Sequence, residues 1–213
     1  MGNYDYTIDY IFYLDGSIEV KVRASGYIFG AFWAEGKTDE YGYRIHDALA
    51  SSMHDHVINF KADLDIIGTK NTLMRVGIEP LSMEYPWDEE MTGPRNTMHL
   101  VNRPFETESG FDWPKNAGEM YIVMSDNETN AWGENRGYRI AAGTGMGNPS
   151  HLTILNSTTL GVSGEWANKD MWVVKQKDTE PMSASALNYF EPKAPLVDFS
   201  KFVDGEDVNN EDL

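Results

Sequence analysis

The amino-acid sequence predicts an all-β fold, a large antiparallel β-sandwich that extends over residues 1–213 as a single domain. Short β-prone runs bounded by Gly, Asn or Pro recur along the chain, and few long helical periodicities interrupt them. Hydrophobic residues make up 41% and charged residues 24% of the 213 positions, which is the balance of a folded globular chain. No internal repeat marks a second domain, so many short strands in one layered domain are expected.

The first predicted element is a β-hairpin over residues 7–23. Residues 10–14 form an apolar run, and Asp15-Gly16 is a tight-turn dipeptide. Apolar and charged side chains then alternate over residues 18–23. Alternation with a period of two is typical of a strand that turns one face towards the core.

The remaining elements follow from the same patterns. We predict a strand over residues 56–65, and a polar connection over residues 77–96, which contains three prolines. Further short strands are predicted around residues 120–124, 138–142 and 171–174. Residues 192–213 are rich in acids, and this composition by itself indicates a flexible end.

Charge and composition exclude several function classes. The chain carries 17 basic and 34 acidic residues, a net charge of -17, so nucleic acid and anionic membranes are not expected as partners. The absence of Cys excludes disulfides, thiol catalysis and Cys-ligated metals. No apolar run is long enough to span a membrane. Two sequons, at Asn127 and Asn156, favour secretion, although the cellular compartment stays open.

The segment that bears most on chemistry contains His54-Asp55-His56 and, further on, Asp63 and Asp65. In a strand, residues i and i+2 face the same side, so both imidazoles would lie together, as Cu(II) prefers. The aspartates would lie on the opposite face, where oxygen ligands suit Ca²⁺. The alternative is a pair of surface histidines on an edge strand with a solvated acidic face. Two histidines are an incomplete copper site, and the other histidines are His46, His99 and His151.

The chain opens with an unusual strand-like motif, Asn3-Tyr4-Asp5-Tyr6. Aromatic residues are common in strands, so the motif is compatible with an ordinary strand edge. A phenol held beside Cu(II) and dioxygen can instead be oxidised to a quinone. A quinone carbonyl is an electrophile that condenses with a primary amine.

The motif NYDY, followed fifty residues later by HDH and then by DLD, resembles the copper-containing primary amine oxidases. Longer stretches agree as well, namely YIFYLDGSIEVKVRASGYI, YGYRIHDALASSMHDHVINFKADLDIIGTKNT and WGENRGYRI. Essentially the whole chain is similar to the C-terminal catalytic β-sandwich domain of that family, particularly its fungal members. The resemblance implies oxidative deamination of primary amines by dioxygen to aldehyde, ammonia and hydrogen peroxide. It also implies a homodimer.

The resemblance implies roles for the residues of these motifs. Tyr4 matches the tyrosine that becomes the topaquinone cofactor, with Asn3 and Asp5 on either side, and Asn3 is expected to help orient the ring. His54 and His56 match two of the three copper ligands. The third copper histidine and the general-base aspartate have no match within residues 1–213.

The resemblance also implies structural calcium. The Asp63 and Asp65 side chains and the Leu64 carbonyl match part of one calcium site, which the Asp212 side chain and the Leu213 carbonyl would complete. That match predicts an ordered C-terminal end instead of a flexible one. A second, peripheral calcium site matches Glu108, Asp204 and Glu206.

Two interpretations follow from the missing matches. The first is an internal, incomplete piece of an amine oxidase domain, with weak or absent turnover by itself. The second is a truncated homologue without enzymatic activity, a calcium-stabilised β-sandwich that binds a partner or glycan. In that second interpretation the binding residues would be tryptophans, although packing explains tryptophans equally well. The candidates are Trp33, Trp87, Trp113, Trp132, Trp166 and Trp172.

Overall fold

The computed structural model describes residues 2–34, 36, 42–52, 54, 56, 58–87, 89–90, 93–143, 164–180 and 198–213. Within them every paired strand is antiparallel, which confirms the predicted all-β fold. The strands are β1 Tyr4–Phe12, β2 Ile18–Gly26, β3 Gly30–Phe32, β4 Tyr43–His46, β5 Leu49–Ser51, β6 Asn71–Met83, β7 Arg95–Pro104, β8 Ser109–Phe111, β9 Glu119–Thr129, β10 Asn135–Ile140 and β11 Met171–Val173. Short 3₁₀ turns occur at Lys115–Ala117, Glu165–Asn168 and Phe199–Lys201.

Two compact units make up the chain. The N-terminal unit comprises Met1–Val57 with Gly143–Gly147, and the larger unit comprises Ile58–Ala142 with Asn148–Leu213. In the described part of the N-terminal unit, β1 pairs with β2, and β5 lies between β3 and β4. In that of the larger unit, one sheet has the order β10-β9-β6-β7, and β8 pairs with β11.

The β1–β2 hairpin confirms the predicted turn and extends the predicted strands at both ends. Register runs from Tyr4 opposite Gly26 to Phe12 opposite Ile18. The turn closes through two backbone bonds, from Tyr13 N to Ser17 O at 2.9 Å and from Gly16 N to Tyr13 O at 3.0 Å. Gly16 has φ of 86°, in the left-handed region that a tight turn requires and that glycine adopts without strain.

The core of the larger unit lies between its two sheets. Leu73, Tyr121 and Val123 project from the four-stranded sheet and pack with Val173 of β11. Phe111 and Met171 from the two-stranded sheet cover the same cluster. Each fully buried side chain of this size contributes about 1.5–3 kcal/mol. Two antiparallel sheets packed through their apolar faces are the predicted β-sandwich arrangement.

The predicted polar connection over residues 77–96 is wrong, because Gly77–Met83 continues β6 and Arg95 already begins β7. Pro80 misled the sequence analysis, since proline cannot donate to a strand ladder. In the structure β9 pairs with β6 only as far as Gly77. Beyond that point the described pairing of β6 is with β7 alone, so Pro80 lies at a sheet edge where the missing N–H costs little.

The predicted strand over residues 56–65 is also wrong. Residues 56 and 58–65 have no strand assignment, although residues 53, 55 and 57 lie outside the described part of the chain. Side-chain alternation requires only an extended backbone, and it does not show whether a neighbouring strand is present.

The described C-terminal end is ordered, which contradicts the flexible end predicted from composition and agrees with the resemblance. Glu211 and Asn71 exchange two backbone hydrogen bonds, and Val208 is completely buried. A second bridge joins Asp207 to Thr107. Among the described residues, no helix has the length and apolar character needed to cross a lipid bilayer.

Candidate metal centres

A cluster of two phenols and two imidazoles lies on one face of β1. The Tyr4 hydroxyl is 3.0 Å from His54 Nε2, and the Tyr6 hydroxyl hydrogen-bonds His56 Nδ1. The two imidazole centroids are 4.9 Å apart, and the Tyr4 ring lies 4.8 Å from the His56 ring, edge to face. The prediction that His54 and His56 face the same side is therefore confirmed, although neither of these two residues has a strand assignment.

Two small residues of β2 lie opposite the two tyrosines of this cluster. Directly opposite residues of an antiparallel pair share a face, and Tyr4 and Tyr6 lie opposite Gly26 and Ala24. Gly26 has φ of 124°, and a Cβ atom there would collide with the Asn3 carbonyl oxygen. Glycine is therefore required beside Tyr4, both for the backbone conformation and for the close approach of the two strands.

The two residues that flank Tyr4, Asn3 and Asp5, have different surroundings. The Asn3 carbonyl accepts the Tyr27 N–H at 3.1 Å, and the Asn3 side chain donates to the Tyr27 carbonyl. Asn3 thus anchors the backbone immediately before Tyr4, and its described hydrogen bonds do not involve the ring. Asp5 is exposed, and strand alternation directs it to the opposite face from the imidazoles.

The donor set of this cluster suits a borderline metal such as Cu(II). His54 Nδ1 lies 3.1 Å from the Ser52 carbonyl, which can only accept, so Nδ1 carries the proton and Nε2 is the basic nitrogen. Within the described residues no group of three or more acidic or histidine side chains includes this pair. His46 and His99 are exposed in β4 and β7, and Asp55 and His151 lie outside the described residues.

Three aspartates converge in the larger unit. The carboxylate oxygens of Asp63, Asp65 and Asp212 lie within 4.8 Å of one another. Burial raises the pKa of Asp212, and the charges of Asp63 and Asp65 raise it further. A divalent cation would relieve this repulsion, since Ca²⁺ takes six to eight oxygen ligands. Leu64 and Leu213 pack against the hydrophobic core beside these acids.

Asn71 holds the two parts of this site together. Its side chain accepts the Ile66 N–H at 3.1 Å and donates to the Gly68 carbonyl at 2.8 Å. Its backbone N–H and carbonyl bond Glu211 at 2.9 and 3.0 Å. Asn71 is completely buried, so it links the segment after Asp65 to the C-terminal end from within the core.

A second acidic cluster contains Glu108, Asp204 and Glu206, whose carboxylate oxygens also lie within 4.8 Å of one another. Glu108 is buried and accepts backbone N–H groups of Lys175 at 3.0 Å, Asp204 at 2.8 Å and Gly205 at 3.1 Å. Charge-assisted bonds of this kind fix a carboxylate in one orientation. The three residues predicted for the peripheral site are therefore brought together.

The ammonium group of Lys177 contacts this second cluster. It lies 3.0 Å from Asp204, forms a closer ion pair with Glu206, and lies 4.0 Å from Glu108. The hydrogen bond to Glu206 is the main cause of the raised pKa of Lys177, and Lys177 in turn lowers the pKa of Asp204. The acids of this cluster therefore stabilise the positive charge of Lys177.

The comparisons with known proteins decide the family. The sequence model described as copper amine oxidase, enzyme domain, matches residues 1–213. This chain belongs to the copper amine oxidase family. The resemblance inferred from NYDY, HDH and DLD is thereby confirmed.

Relatives of this copper amine oxidase domain are much longer proteins. Copper amine oxidase vicK1 of Bipolaris victoriae (strain FI3) is 47% identical over 216 residues, which cover 100% of this chain and 29% of the relative. Amine oxidase [copper-containing] 3 of Rattus norvegicus is 34% identical over 212 residues, which cover 99% of this chain and 27% of the relative. The chain spans less than a third of the length of these relatives.

Solved structures show the same fold. The Aspergillus nidulans amine oxidase superposes with a TM-score of 0.82 at 42% identity, covering 100% of this chain and 28% of that one. A Pichia pastoris lysyl oxidase superposes with a TM-score of 0.83 at 38% identity, covering 99% of this chain and 28% of that one. Both agree with the antiparallel β-sandwich of the larger unit.

One buried acid of this amine oxidase domain, near Lys177 of the second cluster, is not predicted from the sequence. Glu180 is 10% exposed, and both of its carboxylate oxygens are buried without a hydrogen-bond partner among the described residues. The ammonium groups of Lys61 and Lys177 each lie 3.7 Å away. Nothing in the local sequence indicates that Glu180 is buried and paired with two lysines. It is a single acid in a polar stretch, and Lys61 comes from a distant segment.

The tryptophans of the amine oxidase domain divide into packed and exposed groups. Trp113 packs against Tyr121 at 6.2 Å, and the Trp172 indole N–H donates to the Trp166 carbonyl at 2.7 Å. Trp33 is half-buried. Trp132 is 84% exposed, and Trp87 is 76% exposed, stacked on Tyr85 at 5.0 Å.

Proposed function

We propose that this domain takes part in copper-dependent oxidative deamination of primary amines, with Tyr4 as the precursor of topaquinone. The observation that carries the proposal is the 3.0 Å contact between the Tyr4 hydroxyl and His54 Nε2, with the His56 ring 4.8 Å from the Tyr4 ring. A phenol that shares its surroundings with two imidazoles is the arrangement that copper-assisted oxidation of a tyrosine needs. The net reaction consumes amine, dioxygen and water, and it yields aldehyde, ammonia and hydrogen peroxide.

His54 and His56 are suitable ligands for copper, and Tyr4 lies close enough to them to be the group that is oxidised. The Ser52 carbonyl keeps the proton of His54 on Nδ1, so Nε2 is the nitrogen that can bind a metal. The bond from Asn3 to Tyr27 and the small residue Gly26 keep the half-buried Tyr4 ring beside the imidazoles. Bound copper would supply the redox chemistry for oxidation of Tyr4 by dioxygen, and the quinone would supply a carbonyl that a primary amine attacks.

The oxidation of Tyr4 balances with dioxygen as the only oxidant. The side chain gains two oxygen atoms and loses two hydrogen atoms, while two dioxygen molecules are consumed and one hydrogen peroxide is released. The change in peptide mass is therefore a direct readout of the proposal, and it requires no knowledge of the preferred amine.

The first experiment measures that mass. The chain is incubated with Cu(II) in air and digested with trypsin, and the peptide ending at Lys21 is sequenced by mass spectrometry. In parallel, the chain replaces the matching segment of the Aspergillus nidulans amine oxidase, so that a protein of the relatives' length is tested. We expect the quinone mass on Tyr4 in the longer protein and its loss in Tyr4→Phe.

The control is Tyr10→Phe, which removes an exposed phenol from the same strand and should leave the quinone intact. A folded, copper-loaded chimera with unmodified Tyr4 would refute the enzymatic proposal. That result would favour the alternative, a calcium-stabilised β-sandwich that binds a partner. For the 213-residue chain by itself we predict weak or absent turnover.

Two structural calcium centres form the second part of the proposal. The raised pKa of Asp212 beside Asp63 and Asp65 supports the first, together with the predicted Leu64 and Leu213 carbonyls. The convergence of the buried Glu108 carboxylate with those of Asp204 and Glu206, within 4.8 Å of one another, supports the second. We expect calcium titration to show two ions per chain.

Each calcium centre has its own diagnostic variant. Asp65→Asn should remove the first ion and Asp204→Asn the second, while the exposed control Glu128→Gln should retain both. Calcium-independent stability in the unmodified chain would contradict this part of the proposal, and it would leave the copper site unaffected.

A homodimer is the third part of the proposal. The far half of β6 and the facing part of β7 extend beyond β9 as a two-stranded arm, because β9 pairs with β6 only as far as Gly77. One face of this arm is apolar and open, with Ile78 58%, Met98 77% and Leu100 66% exposed. Sedimentation of the longer protein should show a dimer that Leu100→Asp weakens and that Ile45→Asp, on exposed β4, does not.

Secretion is the last part of the proposal. Asn127 is exposed in β9 and begins the sequon Asn127-Glu128-Thr129, so a glycan could attach there without displacing core residues. Asn156 lies outside the described residues. A mobility shift on deglycosylation of protein from its natural source, abolished by Asn127→Gln, would support secretion.

A further inference from the structure

The second tyrosine of the NYDY motif has no role in the function proposed above. Tyr6 lies two residues after Tyr4 on the same face of β1, and its side chain is half-buried. Its hydroxyl forms a hydrogen bond with His56 Nδ1, and its ring centroid lies 5.6 Å from that imidazole. Tyr6 therefore contacts a predicted copper ligand directly, on the nitrogen opposite to Nε2.

The two imidazoles have equivalent hydrogen bonds from different sources. His54 Nδ1 is bonded by the backbone carbonyl of Ser52, an acceptor that no substitution can remove. His56 Nδ1 is bonded by the Tyr6 hydroxyl, a side chain that a substitution can remove. A metal-ligating histidine donates its other ring N–H to such a partner, which determines the tautomer and the orientation of the ring.

We propose that Tyr6 is a positioning residue of the copper site: its phenol oxygen accepts the Nδ1 hydrogen of His56 and so keeps Nε2 as the metal-binding nitrogen. The inference rests on the proposed function, because it assumes that His56 binds copper. Ala24 lies directly opposite Tyr6 on β2. The rings of Tyr4 and His54 also pack beside the His56 ring, at centroid distances of 4.8 and 4.9 Å, and Tyr6 supplies the described hydrogen bond at Nδ1.

The experiment compares Tyr6→Phe with the unmodified chain, using Cu(II) alone as the probe. Copper affinity is measured by competition with a chelator, and the histidine tautomers are read from ¹⁵N NMR of the metal-free chain. The control is Tyr10→Phe, which removes the same hydroxyl from the same face of β1 at a residue that is 62% exposed. Loss of a partner of a metal ligand typically costs about 10- to 100-fold in affinity.

We expect Tyr6→Phe to weaken copper binding within that range and to abolish the preference of His56 for the Nδ1–H tautomer, while Tyr10→Phe changes neither. Unchanged affinity in a folded Tyr6→Phe chain overturns the inference. An Nε2–H tautomer at His56 in the unmodified chain also overturns it, whether or not the variant folds. Absence of copper binding in the folded chimera with the Aspergillus nidulans amine oxidase refutes the proposed function, and the tautomer result still decides the role of Tyr6.

Discussion

Replacing Asn71 with alanine should destabilise the larger unit more than any exposed asparagine substitution, and it should weaken calcium binding at the same time. Asn71 is fully buried, and its side chain is the only part that alanine removes. The backbone bonds between Asn71 and Glu211 do not depend on the side chain, so the strand pairing itself is retained.

The magnitude follows from the two hydrogen bonds that are lost. The Ile66 N–H, in a residue that is only 7% exposed, loses its acceptor, and the Gly68 carbonyl loses its donor. Leaving a buried polar group without its partner costs about 1–3 kcal/mol. Gly68 is exposed, so water can replace the lost donor and that bond costs about 0.5–1.5 kcal/mol. Together with the buried Ile66 N–H, the two losses predict a decrease of about 1.5–4.5 kcal/mol in the free energy of unfolding.

The assay is urea unfolding followed by tryptophan fluorescence, since Trp113 packs on the core beside Tyr121. The control is Asn135→Ala, which removes an exposed bond to Asp126 and should cost less than about 0.5 kcal/mol. Because the affected segment follows Asp65, the calcium concentration needed for half-maximal stabilisation should rise in Asn71→Ala and stay constant in the control.

Two results would refute this reasoning. If Asn71→Ala unfolds within about 0.5 kcal/mol of the unmodified chain, the side-chain bonds contribute no net stability. If stability falls but the calcium midpoint does not move, Asn71 supports the core without holding the acidic residues in place.

Two further predictions concern backbone conformation and pH. Gly26→Ala should separate the ends of β1 and β2 and lower copper affinity, because the added Cβ collides with the Asn3 carbonyl. The control is Gly30→Ala, where the nearest atom to an added Cβ is 3.8 Å away, and copper affinity should stay unchanged. The Ser200 hydroxyl lowers the pKa of Asp198 through a 2.6 Å hydrogen bond. The stabilisation of the folded chain by this bond is therefore fully present above the ordinary carboxyl pKa, and it is lost as the pH falls through the lowered pKa. Ser200→Ala should therefore cost about 1 kcal/mol at neutral pH in a denaturation series, with the difference beginning to shrink near about pH 4 and disappearing below the lowered pKa of Asp198.

Local patterns were sufficient for the hairpin and for the histidine pair. The β1–β2 turn depends on Asp15-Gly16 and on alternation within a few residues, so neighbouring positions alone predict it. His54 and His56 share a side because any extended backbone directs residues i and i+2 together. The same reasoning failed for residues 56–65, because an extended backbone implies no partner strand.

Packing between distant segments decided the rest. Asp65 and Asp212 are far apart in sequence, and Asn71 joins their segments through bonds that exist only in the folded core. The residues themselves did not predict this grouping, which came only from the family resemblance. Glu180 shows the limit most clearly, since its burial between two lysines depends on how the loops around it pack.

The sequence by itself thus determined the all-β class, the hairpin, the family and the identity of the candidate copper ligands, because each depends on residue type and short-range spacing. Only the tertiary structure decided that Glu180 lies buried beside two lysines, that β6 continues through Pro80, and that Tyr6 contacts His56. Long-range contacts form where apolar side chains exclude water and buried polar groups find partners, and both conditions are properties of the packed chain.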